Sequence, residues 1–148
     1  MIDQSLIKVG QVFQSQEEVF QNLSEMIVQE GYATDERAVY EALKLRESEG
    51  TTGMMDGFAI PHAKCTAIQR PSVVVLKLDQ GVEWQSMDGE LIRYVVALFI
   101  PEEEAGTTHL KLLSQLARLL IREEFKTAFK TAASPSELES LMKHSLEL

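Results

Sequence analysis

The sequence predicts a single α/β domain whose helices cover both faces of a β-sheet. Its 148 residues are enough to bury one hydrophobic core. Residues 72–78 are rich in valine and residues 94–100 are almost wholly apolar, a composition typical of central strands that are covered on both faces. Segments with helical periodicity and capping signals lie on either side of these runs. This alternation of strands and helices indicates the α/β class.

The first third of the chain is predicted to hold one short strand and two helices. Residues 6–13 can form the strand. Ser15 and Glu18 form a capping box that begins the first helix, because their side chains can accept from backbone N–H groups that lack a helical partner. Gly31 ends this helix, and a second helix is expected over residues 34–48. Apolar residues recur at helical spacing in both: Val19, Phe20, Leu23, Met26 and Ile27, then Val39, Ala42 and Leu43.

The segment between the two apolar strands is predicted to be a loop or an edge hairpin over residues 80–90. Asp88-Gly89 supplies the turn signal in this segment. Trp84 lies in the same segment and is interpreted as a packing residue rather than as a platform for a ligand.

The last third of the chain is predicted to be mainly helical. After an acidic loop, a helix with its N-cap at Thr107 or Thr108 is expected to run to about Arg122. Residues 134–137, Ser-Pro-Ser-Glu, form a second capping box, with proline at the first helical position, where its missing N–H costs nothing. The final helix is expected to reach His144, which we interpret as a surface residue.

Composition excludes several classes of protein. The net charge of −9 argues against a nucleic-acid-binding protein, which would present a basic face to phosphates. The sequence contains no apolar run of the roughly 20 residues that span a bilayer. Residues 1–10 do not resemble a signal peptide, and the single cysteine, Cys65, excludes an internal disulfide framework. We therefore expect a cytoplasmic protein with no direct membrane insertion.

The most informative segment is the heptapeptide Gly-Phe-Ala-Ile-Pro-His-Ala at residues 57–63. Pro61 fixes its own φ and favours extended geometry in the preceding residue. His62 is therefore expected at a stiff strand end with small neighbours, where a large partner could reach the imidazole. The alternative is a histidine that merely ends a strand.

Two polar residues share the inward face of their predicted helices. Arg46 follows Val39 by seven positions, and His109 precedes Leu116 by seven positions. An inward arginine needs an anion or a fixed acceptor. The structural alternatives are an arginine that extends to solvent or pairs with an acid, and a core histidine with a hydrogen-bond partner.

Together, the three residues predict a site that holds a phosphoryl group on a histidine nitrogen. With Thr107 or Thr108 as N-cap, His109 would lie in the first helical turn, where the helix dipole disfavours imidazolium and leaves a neutral donor. Arg46 offers a planar fork that suits phosphate oxygens. His62 would be the nucleophile, with the N–H of its other ring nitrogen held by a backbone acceptor. Sequence spacing does not show that these residues converge.

Six sequence segments stand out in chain order: Leu45-Arg46-Glu47, Thr51-Thr52-Gly53, 57–64, Val82-Glu83-Trp84, 101–106 and 109–113. Together they resemble the fructose/mannitol family of enzyme IIA domains of the bacterial phosphoenolpyruvate-dependent sugar phosphotransferase system. They stand in the family's order, and the resemblance covers about residues 5–145 of what we treat as one domain, 1–148. The Ala-Ile-Pro-His core is highly specific, and two of the segments resemble the fructose branch more than the mannitol branch.

The resemblance implies a fold, a reaction and its partners. The family fold is a mixed sheet flanked by helices. The family's phosphorylated histidine falls on His62, its second active-site histidine on His109 and its active-site arginine on Arg46. The phosphoryl donor is implied to be the histidine-containing phosphocarrier protein, HPr, and the acceptor a cognate enzyme IIB, with enzyme IIC in the membrane. No metal or organic cofactor is expected.

Three further residues are candidates for supporting the phosphate site. The family's phosphate pocket suggests a role for the hydroxyls of Thr51 or Thr52. Glu47 either orients a neighbour in the site or is a solvated acid at the end of a helix.

Two other functions remain open from the sequence. Some members of the family are regulators whose phosphorylation state controls binding to a protein partner, and they share the residues of the phosphoryl site. A hydrolase that pairs Cys65 with His62 is the third possibility, although the sequence offers no oxyanion-hole signature, and we interpret Cys65 as a small, partly buried residue.

Overall fold

A mixed sheet forms the centre of the molecule in this computed structural model, which describes residues 1–146. β4 and β5 are antiparallel and lie in the middle, with β1 parallel to β4 on one side. β2 and β3 follow one another along the other side of β5, both parallel to it. The mixed sheet implied by the resemblance is confirmed. The strands are β1 (Ile7–Gln11), β2 (Phe58–Ala59), β3 (His62–Cys65), β4 (Ser72–Val82) and β5 (Ile92–Pro101).

Helices cover both faces of this sheet, as predicted. They are α1 (Gln16–Gln29), α2 (Glu36–Ser48), α3 (Leu110–Leu119), α4 (Glu123–Thr131) and α5 (Pro135–Ser145). α1 and α2 pack on one face in a core that includes Phe20 and Phe99. α3, α4 and α5 pack on the other face in a core that includes Leu98 and Phe129. None of the helices within residues 1–146 is long and apolar enough to cross a membrane.

Successive residues of the central strands enter opposite cores. Val74 and Leu76 belong to the core under α1 and α2, whereas Val73 and Val75 belong to the core under α3, α4 and α5. All four side chains are fully buried. This burial on both faces explains why the central strands are continuous apolar runs rather than alternating ones.

Side-chain caps fix the ends of α1 and α5. The Ser15 hydroxyl accepts from the backbone N–H of Glu18 at 3.2 Å, and the Glu18 carboxylate accepts from the backbone N–H of Gln14. The Ser134 hydroxyl likewise accepts from the N–H of Glu137 at 3.2 Å. Both predicted capping boxes are therefore confirmed as helix starts.

The segment after β4 joins the two central strands and is not at an edge of the sheet. β4 continues as far as Val82, which pairs with Ile92 of β5. Trp84 follows, only 8% exposed, and its ring stands edge-on to Phe20 with 5.5 Å between ring centroids. The edge-hairpin alternative is therefore wrong, and the interpretation of Trp84 as a packing residue is confirmed.

The helical region after β5 begins earlier than the sequence predicts. Glu102–Glu104 form a 3₁₀ turn and Ala105–His109 a π-helical turn, after which α3 begins. The expected N-cap at Thr107 or Thr108 is wrong, because both residues lie inside the π-helical turn. Acidic side chains are favourable in the first turn of a helical segment, so the three glutamates are compatible with an early start.

Pro61 separates two short strands that pair with the same neighbour. Ala59 in β2 pairs with Val95, and His62 in β3 pairs with Leu98, both on β5. His62 therefore begins the second short strand. The sequence had suggested instead that it lies at the end of the first. The interruption is expected because proline has no N–H to donate to a neighbouring strand.

Candidate functional site

Three elements bring His62, Arg46 and His109 to one small surface cavity. β3 supplies His62 as its first residue, and the last turn of α2 supplies Arg46. His109 ends the π-helical turn that leads into α3. The three residues that the sequence could not place relative to one another are therefore neighbours in space.

The imidazole of His62 is held at both ring nitrogens. Its Nδ1 lies 3.0 Å from the backbone carbonyl of Ile60, and the Nε of Arg46 donates to its Nε2 at 3.0 Å. A carbonyl oxygen only accepts, so Nδ1 carries the ring proton and Nε2 carries the lone pair. Nε2, the nitrogen on the side of Arg46, is therefore the one available for a new bond, and the backbone acceptor expected from the sequence is the Ile60 carbonyl.

Burial keeps His62 neutral. The side chain is 5% exposed, and this desolvation is the main cause that lowers its pKa from 6.5 to about 4. The positive charge of Arg46 and the neighbouring His109 lower the pKa further, whereas the hydrogen bond to Ile60 and the charge of Glu47 oppose the shift. At neutral pH the Nε2 lone pair is therefore not blocked by a proton.

Arg46 is fixed by two acceptors. Besides its contact with His62, its Nη1 donates to the carbonyl of Gly50 at 2.7 Å, just beyond the end of α2. The structural alternatives, an extended side chain or a pair with an acid, do not describe this arrangement. Arg46 places a permanent positive charge beside Nε2, the unprotonated nitrogen of His62.

His109 packs against His62 and has an unused polar atom. The centroids of the two rings are 5.0 Å apart, with 51° between the planes. Its Nε2 is buried without a hydrogen-bond partner in the described part of the chain. Burial first, and then the charges of Lys64 and Arg46, lower the pKa of His109. The prediction of a neutral imidazole therefore has a different cause from the expected one, because His109 is not in the first turn of its helix.

Thr51, Thr52 and Glu47 lie beside the cavity and contact groups outside it. The Thr51 hydroxyl donates to the backbone carbonyl of Gln85. The Thr52 hydroxyl donates to one oxygen of the Glu47 carboxylate at 2.6 Å, and the Thr52 N–H donates to the other at 3.0 Å. The description of Glu47 as a solvated acid is therefore wrong, since both of its oxygens hold Thr52.

Sequence reasoning assigned no role to Lys64 and two exposed leucines around the cavity. Lys64 lines it beside His62, and its charge reaches His109. Leu45 and Leu110 are each 64% exposed, although they precede Arg46 and follow His109 directly. Their adjacency to the motif residues was the sequence signal that could have identified them. Phe58, within the same motif as His62, is fully buried in the core under α3, α4 and α5.

The remaining histidine and the cysteine fit their structural interpretations. His144 is exposed on the last turn of α5. Cys65 ends β3, is partly buried and packs against the core under α1 and α2. His62 and Cys65 occupy opposite ends of β3, and the contacts of His62 are with Arg46, Ile60 and His109 instead.

A neutral histidine between an arginine and a second histidine, on an α/β domain, has the features of a histidine phosphotransfer component. Residues 1–145 match the family model described as phosphoenolpyruvate-dependent sugar phosphotransferase system, EIIA 2. The chain belongs to this family and is an EIIA-type component of the phosphotransferase system.

Relatives of known description fall into transport and regulatory groups. The chain is 34% identical over 131 residues to the 2-O-alpha-mannosyl-D-glycerate-specific EIIABC component of Escherichia coli, covering 88% of this chain and 20% of that one. It is 32% identical over 134 residues to the fructose-specific EIIABC component of Bacillus subtilis, covering 90% and 21%. It is 30% identical over 128 residues to a nitrogen regulatory protein of Pseudomonas aeruginosa, covering 86% and 82%. The chain thus spans about a fifth of the first two relatives.

Solved structures share the fold. The nitrogen regulatory protein IIA-Ntr of Neisseria meningitidis superposes with a TM-score of 0.88 at 24% identity, covering 96% of both chains. A chain from the Escherichia coli complex of enzyme IIAMTL with phosphorylated enzyme IIBMTL superposes with a TM-score of 0.78 at 19% identity, covering 97% of this chain and 99% of that one.

Proposed function

We propose that this protein is a phosphocarrier that accepts a phosphoryl group on His62 from phospho-HPr and passes it to a cognate enzyme IIB. The observation that carries the proposal is the neutral imidazole of His62, whose unprotonated Nε2 contacts Arg46 in a cavity that both residues line. Enzyme IIC would complete the system in the membrane, with this protein in the cytoplasm. Relatives named for fructose favour a fructose-like sugar.

The residues of the cavity account for each part of the transfer. The Nε2 lone pair of His62 forms the new N–P bond while the bond from phosphorus to the donor histidine nitrogen breaks, and the electron pair of that bond returns to the donor. Throughout the transfer, Nδ1 keeps its proton and donates a hydrogen bond to the Ile60 carbonyl. No proton has to leave His62, so the transfer is governed by position and charge.

Arg46 and His109 would hold the transferred group. The Arg46 Nε–H occupies the Nε2 lone pair in the resting site, so the guanidinium moves from the nitrogen to the phosphoryl oxygens as the group arrives. The buried Nε2 of His109 has no other partner in the described chain, so its N–H can turn to a phosphoryl oxygen. Both contacts stabilise the negative charge of the phosphoryl oxygens, which the site does not hold before the transfer.

Leu45 and Leu110 give the site a docking surface. Both are 64% exposed; Leu45 lines the cavity, and Leu110 follows His109, which also lines it. Apolar side chains around a transferring group exclude water, which would otherwise hydrolyse the phosphohistidine. HPr and enzyme IIB would use this surface in turn.

The first test is phosphorylation in a purified system. The protein is incubated with phosphoenolpyruvate, enzyme I and HPr, and intact mass spectrometry looks for one acid-labile phosphoryl group, with His62→Ala alongside. Labelling of the wild type alone is the expected result. A folded wild type that stays unlabelled beside a working HPr would refute the proposal.

A regulatory role is the second candidate, because a nitrogen regulatory protein is among the relatives and another shares the fold at a TM-score of 0.88. Both roles use the same phosphohistidine, so the fate of the group separates them. The labelled protein is mixed with enzyme IIB components encoded beside its gene. Transfer to one of them supports transport. A phosphoryl group that stays in place, together with a partner that binds one phosphorylation state, supports regulation.

A further inference from the structure

We infer that Glu47 is a positioning residue that, through Thr52, fixes the proton of His62 on Nδ1; this inference rests on the proposed phosphorylation of His62 at Nε2. Glu47 does not touch the imidazole. It acts on the backbone that presents the Ile60 carbonyl, and that carbonyl selects the tautomer together with the Arg46 N–H on the other ring nitrogen.

The chain of contacts begins at the end of α2. The two carboxylate oxygens of Glu47 accept from the hydroxyl and the backbone N–H of Thr52, at 2.6 and 3.0 Å. Thr52 is 3% exposed, so these bonds are shielded from water and hold it firmly. A charged acceptor with two donors on one residue fixes the position of that residue as well as its distance.

The second link runs along a small antiparallel hairpin. The carbonyl of Thr52 accepts from the N–H of Ile60 at 3.0 Å, and Gly53 pairs with Ala59. Thr52 therefore lies directly opposite the residue whose own carbonyl faces His62. A shift of Thr52 would shift Ile60 by a comparable amount, because a backbone hydrogen bond joins them.

The last link is the hydrogen bond from His62 Nδ1 to the Ile60 carbonyl, at 3.0 Å. Arg46, the neighbour of Glu47, donates to the other nitrogen. Two consecutive residues of α2 therefore control both nitrogens of His62, Arg46 directly and Glu47 through the hairpin. This arrangement also keeps the Glu47 carboxylate occupied by Thr52, where it does not compete with a phosphoryl group for Arg46.

The test measures the tautomer directly, by ring ¹⁵N NMR of His62 at pH 7.5 in the full-length protein. The wild type should carry its proton on Nδ1 alone. Glu47→Ala and Thr52→Val should give a mixture of the two tautomers. Phosphorylation by phosphoenolpyruvate, enzyme I and HPr should slow in both variants by about tenfold or more, since loss of orientation at a reacting group has that order of effect.

Two variants serve as controls. Thr52→Ser keeps the hydroxyl that donates to Glu47, so it should restore the single Nδ1–H tautomer that Thr52→Val loses. Glu41→Ala removes an exposed carboxylate from the same helix, which pairs with Arg37 at 3.9 Å, and its tautomer and rate should match the wild type.

The NMR and the kinetics can fail separately. A pure Nδ1–H tautomer in Glu47→Ala would overturn the inference, whether or not the rate falls, because a slower folded variant with that tautomer shows only a structural role for Glu47. A mixed tautomer in Glu47→Ala and Thr52→Val supports it. If the tautomer shifts while even the wild type accepts no phosphoryl group, the positioning role stands and the proposed phosphorylation is wrong.

Discussion

At the scale of single residues, the site depends on a histidine that the protein keeps neutral. Burial costs the charged form of His62 its hydration, and the adjacent Arg46 adds repulsion. A positive imidazolium would have no lone pair for phosphorus. The same burial makes the stability of the protein depend on pH.

This coupling gives a prediction for acid unfolding. The pKa of His62 is about 4 in the folded protein and 6.5 in the unfolded chain, so the unfolded chain binds more protons between these values. The free energy of unfolding therefore rises with pH across this window. It should fall by about 3 kcal/mol more for the wild type than for His62→Gln when pH drops from 7 to 4. Denaturant titrations at several pH values measure this, and parallel pH profiles for the two proteins would contradict it.

Arg46 gives a second prediction at this scale. Arg46→Lys keeps the charge but loses the planar fork that now spans the His62 Nε2 and the Gly50 carbonyl. Phosphorylation of His62 by phospho-HPr should slow on the order of a hundredfold, as when one donor to a developing charge is lost. Rapid-quench kinetics measure the rate. The matched control is Arg37→Lys on the exposed face of α2, and equal rates for both variants would rule out a directional role for Arg46.

At the scale of elements, a short hairpin between α2 and β3 supports the site. Its first half ends at Met54 and its second half begins at Phe58, joined by a hydrogen bond of 2.7 Å. Gly53 allows it to lie against the backbone at Gln85, because a Cβ at this glycine would overlap the Gln85 carbonyl. The hairpin is therefore held between α2 and the β4–β5 connection.

Gly53→Ala should consequently disturb the hairpin. The added methyl group meets backbone rather than a flexible side chain, so the free energy of unfolding should fall by about 2 kcal/mol or more. Urea denaturation measures the change. Gly106→Ala is the control, because a Cβ at Gly106 meets nothing within 4 Å and neither glycine has a positive φ. Equal stability of the two variants would show that the close approach at Gly53 relaxes without cost.

At the scale of the whole molecule, partner binding should depend on the leucines beside the cavity. The double variant Leu45→Gln with Leu110→Gln should raise the KM for phospho-HPr by about thirtyfold, since each leucine contributes on the order of 1 kcal/mol when a partner covers it. The kcat should change little, because the groups that hold the His62 imidazole are Arg46, Ile60 and His109. Ile121→Gln, 71% exposed beyond the other end of α3, is the control. A KM effect of the same size in the control would mean that this surface is not the docking site.

The sequence determined much of the local structure. Both capping boxes began helices where Ser15 and Ser134 indicated, because a cap depends on residues three positions apart. The two central strands followed from their apolar runs. The start of the helical region after β5 did not, because the π-helical turn lacks a side-chain cap that a pattern could reveal.

What only the tertiary structure decided is how the polar residues meet. The sequence identified His62 by its motif, and Arg46 and His109 by the inward faces of their helices and by the family resemblance; the roles assigned to them stay predictions. It did not show that the Glu47 carboxylate would accept hydrogen bonds from Thr52 and, through Thr52, hold the backbone beside His62. These contacts depend on how α2, the hairpin and β3 pack. Local patterns follow from neighbours along the chain, whereas burial and hydrogen-bond partners follow from neighbours in space.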